Sequence, residues 1–354
     1  MRPDPVAVAI HGAGPAGCAL ALLLRAQGTS LRLQGARAAA RAPFRPLALS
    51  HASRLILERV GAWAGIDAAP IEEVHVSQQG AFGRTRMCAR DAGVPALGYV
   101  VDYAVLLDAL LERVRLAGIP LEADAGEAQL SVHAEGTEQA LEAKAYGQDA
   151  VVGLVAVRPG AGRVAWERFT PEGPLALLPM AGRYSLVWGM PPGRAAERCA
   201  MPPEAFLAEL ARAFGRRAGE FTGIEHRSRA PLALRVRPSR VAGRAAYIGN
   251  AAQTLHPVAG QGLNLALRDA FDLARTVEGA ADAGDARVLA RFNSVRRLDA
   301  AATVRVTDFL ATRFLGDGPF APAIRGLGLT ALDICLPARR FFARRMIFGA
   351  NALP

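Results

Sequence analysis

One stretch near the start of the chain, VAVAIHGAGPAGCALALLLRAQG at residues 6–28, restricts the possible folds more than any other. Val6, Val8 and Ile10 alternate as one face of a short buried strand. Residues 16–26 then read as a helix, and Gly28 stands where its C-terminal cap is expected. Between strand and helix lie Gly12, Gly14 and Gly17 in GxGxxG spacing. A strand that enters a helix through so tight a turn is the first βα unit of a Rossmann-like sheet. Each glycine then has its own task. Gly12 permits the sharp bend, Gly14 lets a diphosphate approach the backbone, and Gly17 lets the helix pack on the strand. The free N–H groups and partial positive charge of the helix N-terminus favour that diphosphate. The alternative is a closely packed βα turn that binds nothing. A second strand over residues 31–33 ends at Gln34, where a dinucleotide site ordinarily places an acid against the ribose. A neutral hydrogen bond contributes about 0.5–1.5 kcal/mol against about 1.5–3 for a charged one, so Gln34 predicts weaker retention of the same cofactor.

A second bend of this kind lies far along the chain, in GNAAQTLHPVAGQGLNLALRDA at residues 249–270. It follows an apolar strand at 245–248 and precedes a helical pattern at 263–277, with Gly260 and Gly262 just before the helix. The loop is rich in amides and almost free of charge. A planar flavin ring suits it: reduced flavin carries negative charge, which a helix N-terminus favours by about 0.3–1 kcal/mol, or about 2 when partly buried. The reactive group is then the cofactor's own, and the protein supplies shape and dipoles. His256, ahead of a proline in a tight loop, reads as structural and is assigned no proton transfer.

Composition narrows the setting. The 354 residues, 51% of them hydrophobic, suffice for a large core and two domains. No apolar run approaches the roughly 20 residues that span a bilayer. A strand-like run begins at Val6, where a secretory leader would have its apolar segment, so none is expected. Cys18, Cys88, Cys199 and Cys335 are scattered without a CxxC pair, which predicts reduced thiols, a cytoplasmic location and no metal site. The net charge of +10 comes almost wholly from arginine. It fits a solvated surface or attraction to anionic lipid. No nucleic-acid-binding pattern accompanies it, so no nucleic-acid partner is expected.

Along nearly its whole length the chain resembles the class A FAD-dependent aromatic monooxygenases, which share the para-hydroxybenzoate hydroxylase fold. GAGPAG at 12–17 resembles their ADP-binding turn, and residues 249–270 resemble their second FAD motif. FRPLALS at 44–50 resembles their arginine-containing segment, which implies Arg45 near the flavin. WERFTPEGPLALLPM at 166–180, YSLVWGMP at 184–191 and RRFFARRMIFG at 339–349 are most similar to the ubiquinone-biosynthesis branch, in particular its 2-polyprenyl-6-methoxyphenol hydroxylases. The resemblance implies an α/β fold (α+β overall): a Rossmann-like FAD-binding domain, an inserted β-sheet substrate domain and a C-terminal helical segment. It implies that Asn250, Asp in the family at large, binds ribityl or phosphate oxygens and that Pro257 packs near the flavin face. Gly260, Gln261, Gly262, Leu263 and Asn264 would present backbone groups to its pyrimidine edge. The implied cofactors are FAD and, as electron donor, NADPH or NADH. The implied reaction is hydroxylation of a lipophilic phenol, a polyprenylated methoxyphenol, by way of a flavin hydroperoxide. No catalytic side chain is assigned.

The expected layout is discontinuous. FAD-binding parts fall at 1–71, 98–149 and 235–354, the last with the C-terminal helices; substrate-domain parts fall at 72–97 and 150–234. Asp102 reads as a helix N-cap, and residues 285–314 as a long amphipathic helix broken once. One departure from the family is plain. Its third motif, centred on Asp-Gly, has only Glu135-Gly136 as a match here, and the interval from Gly118 to Glu135 is too short for the hairpin that covers the FAD domain in relatives. Either the loss is tolerated, or reduction is impaired and the chain is a scaffold for other ubiquinone-biosynthesis proteins. A third reading is a reductase of the geranylgeranyl type that consumes no oxygen. Residues 339–348 mix four arginines with Phe341, Phe342, Met346, Ile347 and Phe348. They form either a helix at a lipid surface or a terminal helix docked on its own core. Peripheral contact with the inner face of the membrane, without a spanning segment, is the expectation.

Overall fold

The computed structural model describes residues 6–35, 44–136, 141, 143–312 and 320–349. Strand β1 (Val6–His11) enters helix α1 (Pro15–Ala26) through the first glycine turn, and β2 (Leu31–Gln34) returns beside it. Then come β3 (Pro46–Ser50), α2 (His51–Arg59), β4 (Ala69–Ile71), β5 (Glu73–Gln78), β6 (Arg84–Cys88), α3 (Ala89–Ala92), β7 (Gly98–Asp102), α4 (Tyr103–Leu116), β8 (Leu121–Glu122) and β9 (Ala128–His133). The middle of the chain holds β10 (Ala143–Arg158), β11 (Val164–Phe169), β12 (Pro174–Met180), β13 (Arg183–Met190), α5 (Pro192–Ala200), α6 (Pro203–Phe214) and β14 (Glu220–Val236). The last part holds β15 (Val241–Ala242), β16 (Ala245–Tyr247), β17 (Gln253–Thr254), α7 (Gly262–Val277), α8 (Ala286–Ala311), α9 (Ala321–Ile334) and α10 (Leu336–Phe348).

The first sheet has the order β15-β16-β9-β1-β2-β8, with β1 parallel to both β2 and β9. Period-two alternation sends Val8, Ile10, Leu33, Leu130, Val132 and Ala246 to one face, where each is fully buried in one core with α1, α4 and α7. The other face is polar. His11, Gln34, Ser131, His133 and Tyr247 are half-buried on it. The rings of His11, His133 and Tyr247 stack across β1, β9 and β16 with centroids 5.1 and 4.9 Å apart. Arg237 lies over Tyr247, 3.7 Å from its centroid. This polar face tolerates water, so the short interval between Gly118 and Glu135 leaves no apolar sheet surface bare.

The second sheet has eight strands in the order β17-β14-β10-β13-β12-β11-β5-β6. Its edge is completed by β5 and β6, from much earlier in the chain, with β5 parallel to β11. One face packs on α5 and α6 through Val151, Leu186, Trp188, Phe206 and Leu210. A small antiparallel sheet, β3-β7-β4, lies against the other through Ile71, Val100 and Ala165.

Asp102 caps α4, its Oδ1 accepting the Ala104 N–H at 2.8 Å. Helix α8 is continuous from Ala286 to Ala311, where the sequence reading expected a break. The charged residues that interrupt its apolar pattern point inward. Arg296 meets Asp269 at 2.7 Å, Asp272 at 2.8 Å and Asp299 at 2.8 Å, and Arg268 meets Asp299 at 2.9 Å. Burial alone would lower the Arg296 pKa; the three carboxylates outweigh it and hold the guanidinium charged. Helix α10 docks on its own core: Ala343 and Ile347 are buried with Met87 and Leu97, while Phe342 and Phe348 pack alongside. Phe341 stays exposed.

Removing one partner of a buried ion cluster strands the others. Arg296→Ala is therefore expected to lower the free energy of urea unfolding by about 3–5 kcal/mol. A loss below about 1 kcal/mol would mean that the cluster does not hold α7 to α8.

Candidate cofactor site

Glycines locate the site. Most described glycines either have a left-handed backbone or have neighbours that a Cβ would strike. Gly12 has both: φ is +107° and an added Cβ would lie 2.5 Å from the Glu135 backbone. Gly17 is required by packing, since its Cβ would lie 1.9 Å from the Gly12 carbonyl oxygen. Five described glycines have an ordinary backbone and no atom at all within 4 Å of an added Cβ: Gly14, Gly162, Gly193, Gly262 and Gly328. Three of these are exposed on the surface; Gly14 and Gly262 are sheltered. Gly14, with φ −76° and ψ 178°, has a backbone that any residue adopts, yet no atom lies within 4 Å of its absent Cβ. The space beside these two glycines is room for something other than the chain.

Both stand at uncapped helix starts. Gly14 is the N-cap of α1, and Gly262 opens α7 after Gln261. Neither helix has a side-chain cap or an acid in its first turn, so their free N–H groups and positive dipole ends are available to a ligand. The two starts converge. Gly249 sits between them, with its absent Cβ 3.5 Å from Ala16 of α1 and 3.5 Å from Ala266 of α7. Gly260 (φ +59°) brings the second loop against β3, its Cβ position 3.0 Å from that of Ala48.

A family model described as "FAD binding domain" matches residues 125–307. Ubiquinone hydroxylase UbiL of Rhodospirillum rubrum is 32% identical over 96% of this chain and 89% of its own length. The 3-demethoxyubiquinol 3-hydroxylase of Escherichia coli is 29% identical over 94% of this chain and 96% of its own. Among solved structures, p-nitrophenol 4-monooxygenase PnpA of Pseudomonas putida covers 98% of this chain and 99% of its own at a TM-score of 0.77 and 15% identity. The chain belongs to the FAD-dependent aromatic monooxygenase family. It is a flavoprotein hydroxylase, and its two open glycines at converging helix starts fit FAD, a long ligand with an anionic middle and a planar end.

Other family positions have definite surroundings. Asn250 is half-buried, its amide without a hydrogen bond among the described residues. Pro257 is exposed and Leu263 half-buried. Gln261 is buried and its Nε2 donates to the Met346 carbonyl at 3.4 Å. The Asn264 side chain is spent on structure. Oδ1 accepts from Ser50 N–H and Ser53 Oγ at 2.7 Å each; Nδ2 donates to the Ala48 and Gly260 carbonyls at 2.9 and 2.7 Å. It pins β3 and α2 to the second loop. Gln34 is likewise engaged: Oε1 accepts from His11 Nδ1 at 2.7 Å and Nε2 donates to the Ala123 carbonyl at 3.0 Å. One lone pair of Oε1 remains for a ribose hydroxyl. Arg45 is exposed, its guanidinium 5.3 Å over the Tyr103 ring, with no contact bringing it to either glycine.

His256 is a buried structural group. Its Nδ1 accepts the Val258 N–H at 3.1 Å, its Nε2 faces Gln148 Oε1 at 3.4 Å, and burial pushes its pKa down to about 4, so it is neutral. Beside the first turn, burial pushes the Cys18 thiol up to about 12. Sequence reading missed Glu167. Its neighbours Trp166 and Arg168 turn to α6, so Glu167 lies on the opposite sheet face with Ala165. Its Oε1 is buried without a partner, and burial raises its pKa to about 7. A single carboxylate in a strand carries no sequence signal of this kind.

Two substitutions separate the roles of these glycines. Gly14→Val is expected to leave thermal stability nearly unchanged and to weaken FAD binding about tenfold to a hundredfold, the loss of one charge-assisted contact or more. Gly17→Val is expected to prevent folding. Unaltered FAD affinity in Gly14→Val, measured by fluorescence titration, would show that the space serves no ligand.

Proposed function

We propose that this flavoprotein hydroxylates a polyprenylated methoxyphenol in ubiquinone biosynthesis, with NADPH or NADH as reductant. The observation that carries the reading is the pair of sheltered, unfilled glycines at helix starts held together by Gly249. The named activities of the two relatives supply the substrate class.

When bound, FAD supplies electron transfer and oxygen activation. The chain's own residues do the rest. N–H groups at the start of α1 would hold the diphosphate, and those at Gly262 and Leu263 would face the ring. Asn250 would bind the ribityl or phosphate oxygens, and Pro257 would lie beside the ring. The eight-stranded sheet roofs the site, and its apolar residues near β4 and β7, Ala165, Leu178 and Met180, keep water out. A polyprenyl tail brings the enzyme to a membrane surface and beside other enzymes of the pathway. Among the described residues no helix is long and apolar enough to cross a membrane.

The scaffold reading rests on one observation, the Gln34 amide already tied to His11 and Ala123. The two readings differ in strains that each lack one quinone-ring hydroxylase, with accumulated intermediates identified by mass. The hydroxylase reading expects rescue of one strain and disappearance of its methoxyphenol intermediate. Rescue of none by an FAD-loaded protein contradicts it and favours the scaffold.

A further inference from the structure

The geometry points to a bilayer-docking site apart from the cofactor cradle: an arginine-lined cavity that takes the phosphate of an anionic lipid headgroup, beside an outer face of α9 that enters the lipid surface. This deepens the proposal that the enzyme works at a membrane, and it rests on residues that the oxidative chemistry does not use.

The cavity has a volume of about 850 Å³ and is lined by Arg84, Arg168, Arg216, Arg217, Thr330 and Asp333, among others. None of these four arginines makes an ion pair among the described residues, whereas Arg163, Arg183 and Arg229 in the same sheet are paired with Glu72, Glu225 and Asp149. Arg168 is held in place: Nε donates to the Ala213 carbonyl at 3.0 Å and a terminal nitrogen to Ser77 Oγ at 3.2 Å. Burial and the nearby charge of Arg217 both lower its pKa. Asp333, the one acid in the lining, is already engaged. It accepts the Arg86 N–H at 2.9 Å and lies 3.9 Å from Arg339. The cavity therefore carries positive charge that the chain does not balance, in a shape and chemistry that suit phosphate.

Helix α9 forms one border. Gly326 and Leu329 are buried on the protein side. Phe320, Ile324, Leu327, Ala331 and Ile334 follow one another at spacings of four and three, so they form one stripe. The stripe faces outward, and its four large residues are 63–78% exposed. Thr330 and Asp333 reach the cavity from the same turns, and Phe82, 55% exposed, also lines it. Scattered exposed apolar residues need no explanation; a continuous helical stripe beside concentrated positive charge is the pattern of an interfacial helix. The charge selects an anionic bilayer over a second copy of this chain, which would bring the same arginines to the contact.

Vesicle co-sedimentation of the full FAD-loaded chain, without substrate or nicotinamide, tests the site. Phosphatidylcholine vesicles are compared with vesicles that also contain phosphatidylglycerol. Binding is expected only to the anionic vesicles, falling on the order of fivefold for each of Arg216→Gln and Arg217→Gln, and lost in Leu327→Asp. All three side chains are exposed, so the flavin spectrum and thermal midpoint serve as unchanged controls. Absence of binding, equal binding to both vesicles, or variants that bind like the parent would overturn the proposal. So would pyrophosphate raising the thermal midpoint as much as the anionic vesicles do, or a dimer that Leu327→Asp dissolves. None of these outcomes bears on the hydroxylase reading, because no turnover is measured.

Discussion

Everything in this fold depends on two helices beginning in the same place. Residues 14 and 262 are far apart along the chain, yet Gly249 touches both α1 and α7 at van der Waals distance. Its φ of +61° strains any side chain, and one larger than a methyl would push the helices apart. Their uncapped N-termini would then no longer address one ligand, and the dipoles would lose their shared target. The surrounding structure serves this contact. Asn264 fastens the second loop to β3 and α2 with hydrogen bonds to four partners. The Arg296 cluster fixes the far side of α7 to α8. The protein thus spends buried polar groups on positioning rather than on chemistry.

Much of this was legible in the sequence, and the physics says which part. Both glycine bends could be read because strand, turn and helix are each specified over a few neighbouring residues. Asp102 could be read as a cap for the same reason. What escaped depends on distant partners. The inward charges of α8 looked like a break in an amphipathic helix, because their neutralising aspartates include two on α7. Residues 72–97 were expected with the substrate part, but the parallel pairing of β5 with β11 could not be read from them. Arg84, Arg168, Arg216 and Arg217 meet in one cavity although nothing in their spacing announces it. The same holds for Glu167, whose surroundings come from three strands.

The shortened interval before Glu135 has a physical resolution. The sheet face opposite the core carries histidines, amides, serine, a tyrosine and, of aliphatic side chains, only alanines, and Glu135 still closes over the first glycine turn. No strand edge of the core is cut, since β8 and β15 end the sheet as very short edge strands. A non-catalytic role is therefore not required by the short interval.

The central claim is that the two open glycines grip the diphosphate and the ring of one FAD molecule. A crystal structure of the FAD-loaded protein tests it most directly. The account expects diphosphate oxygens against the Gly14 backbone and the isoalloxazine edge against Gly262 and Leu263. FAD bound with either glycine out of contact would contradict it.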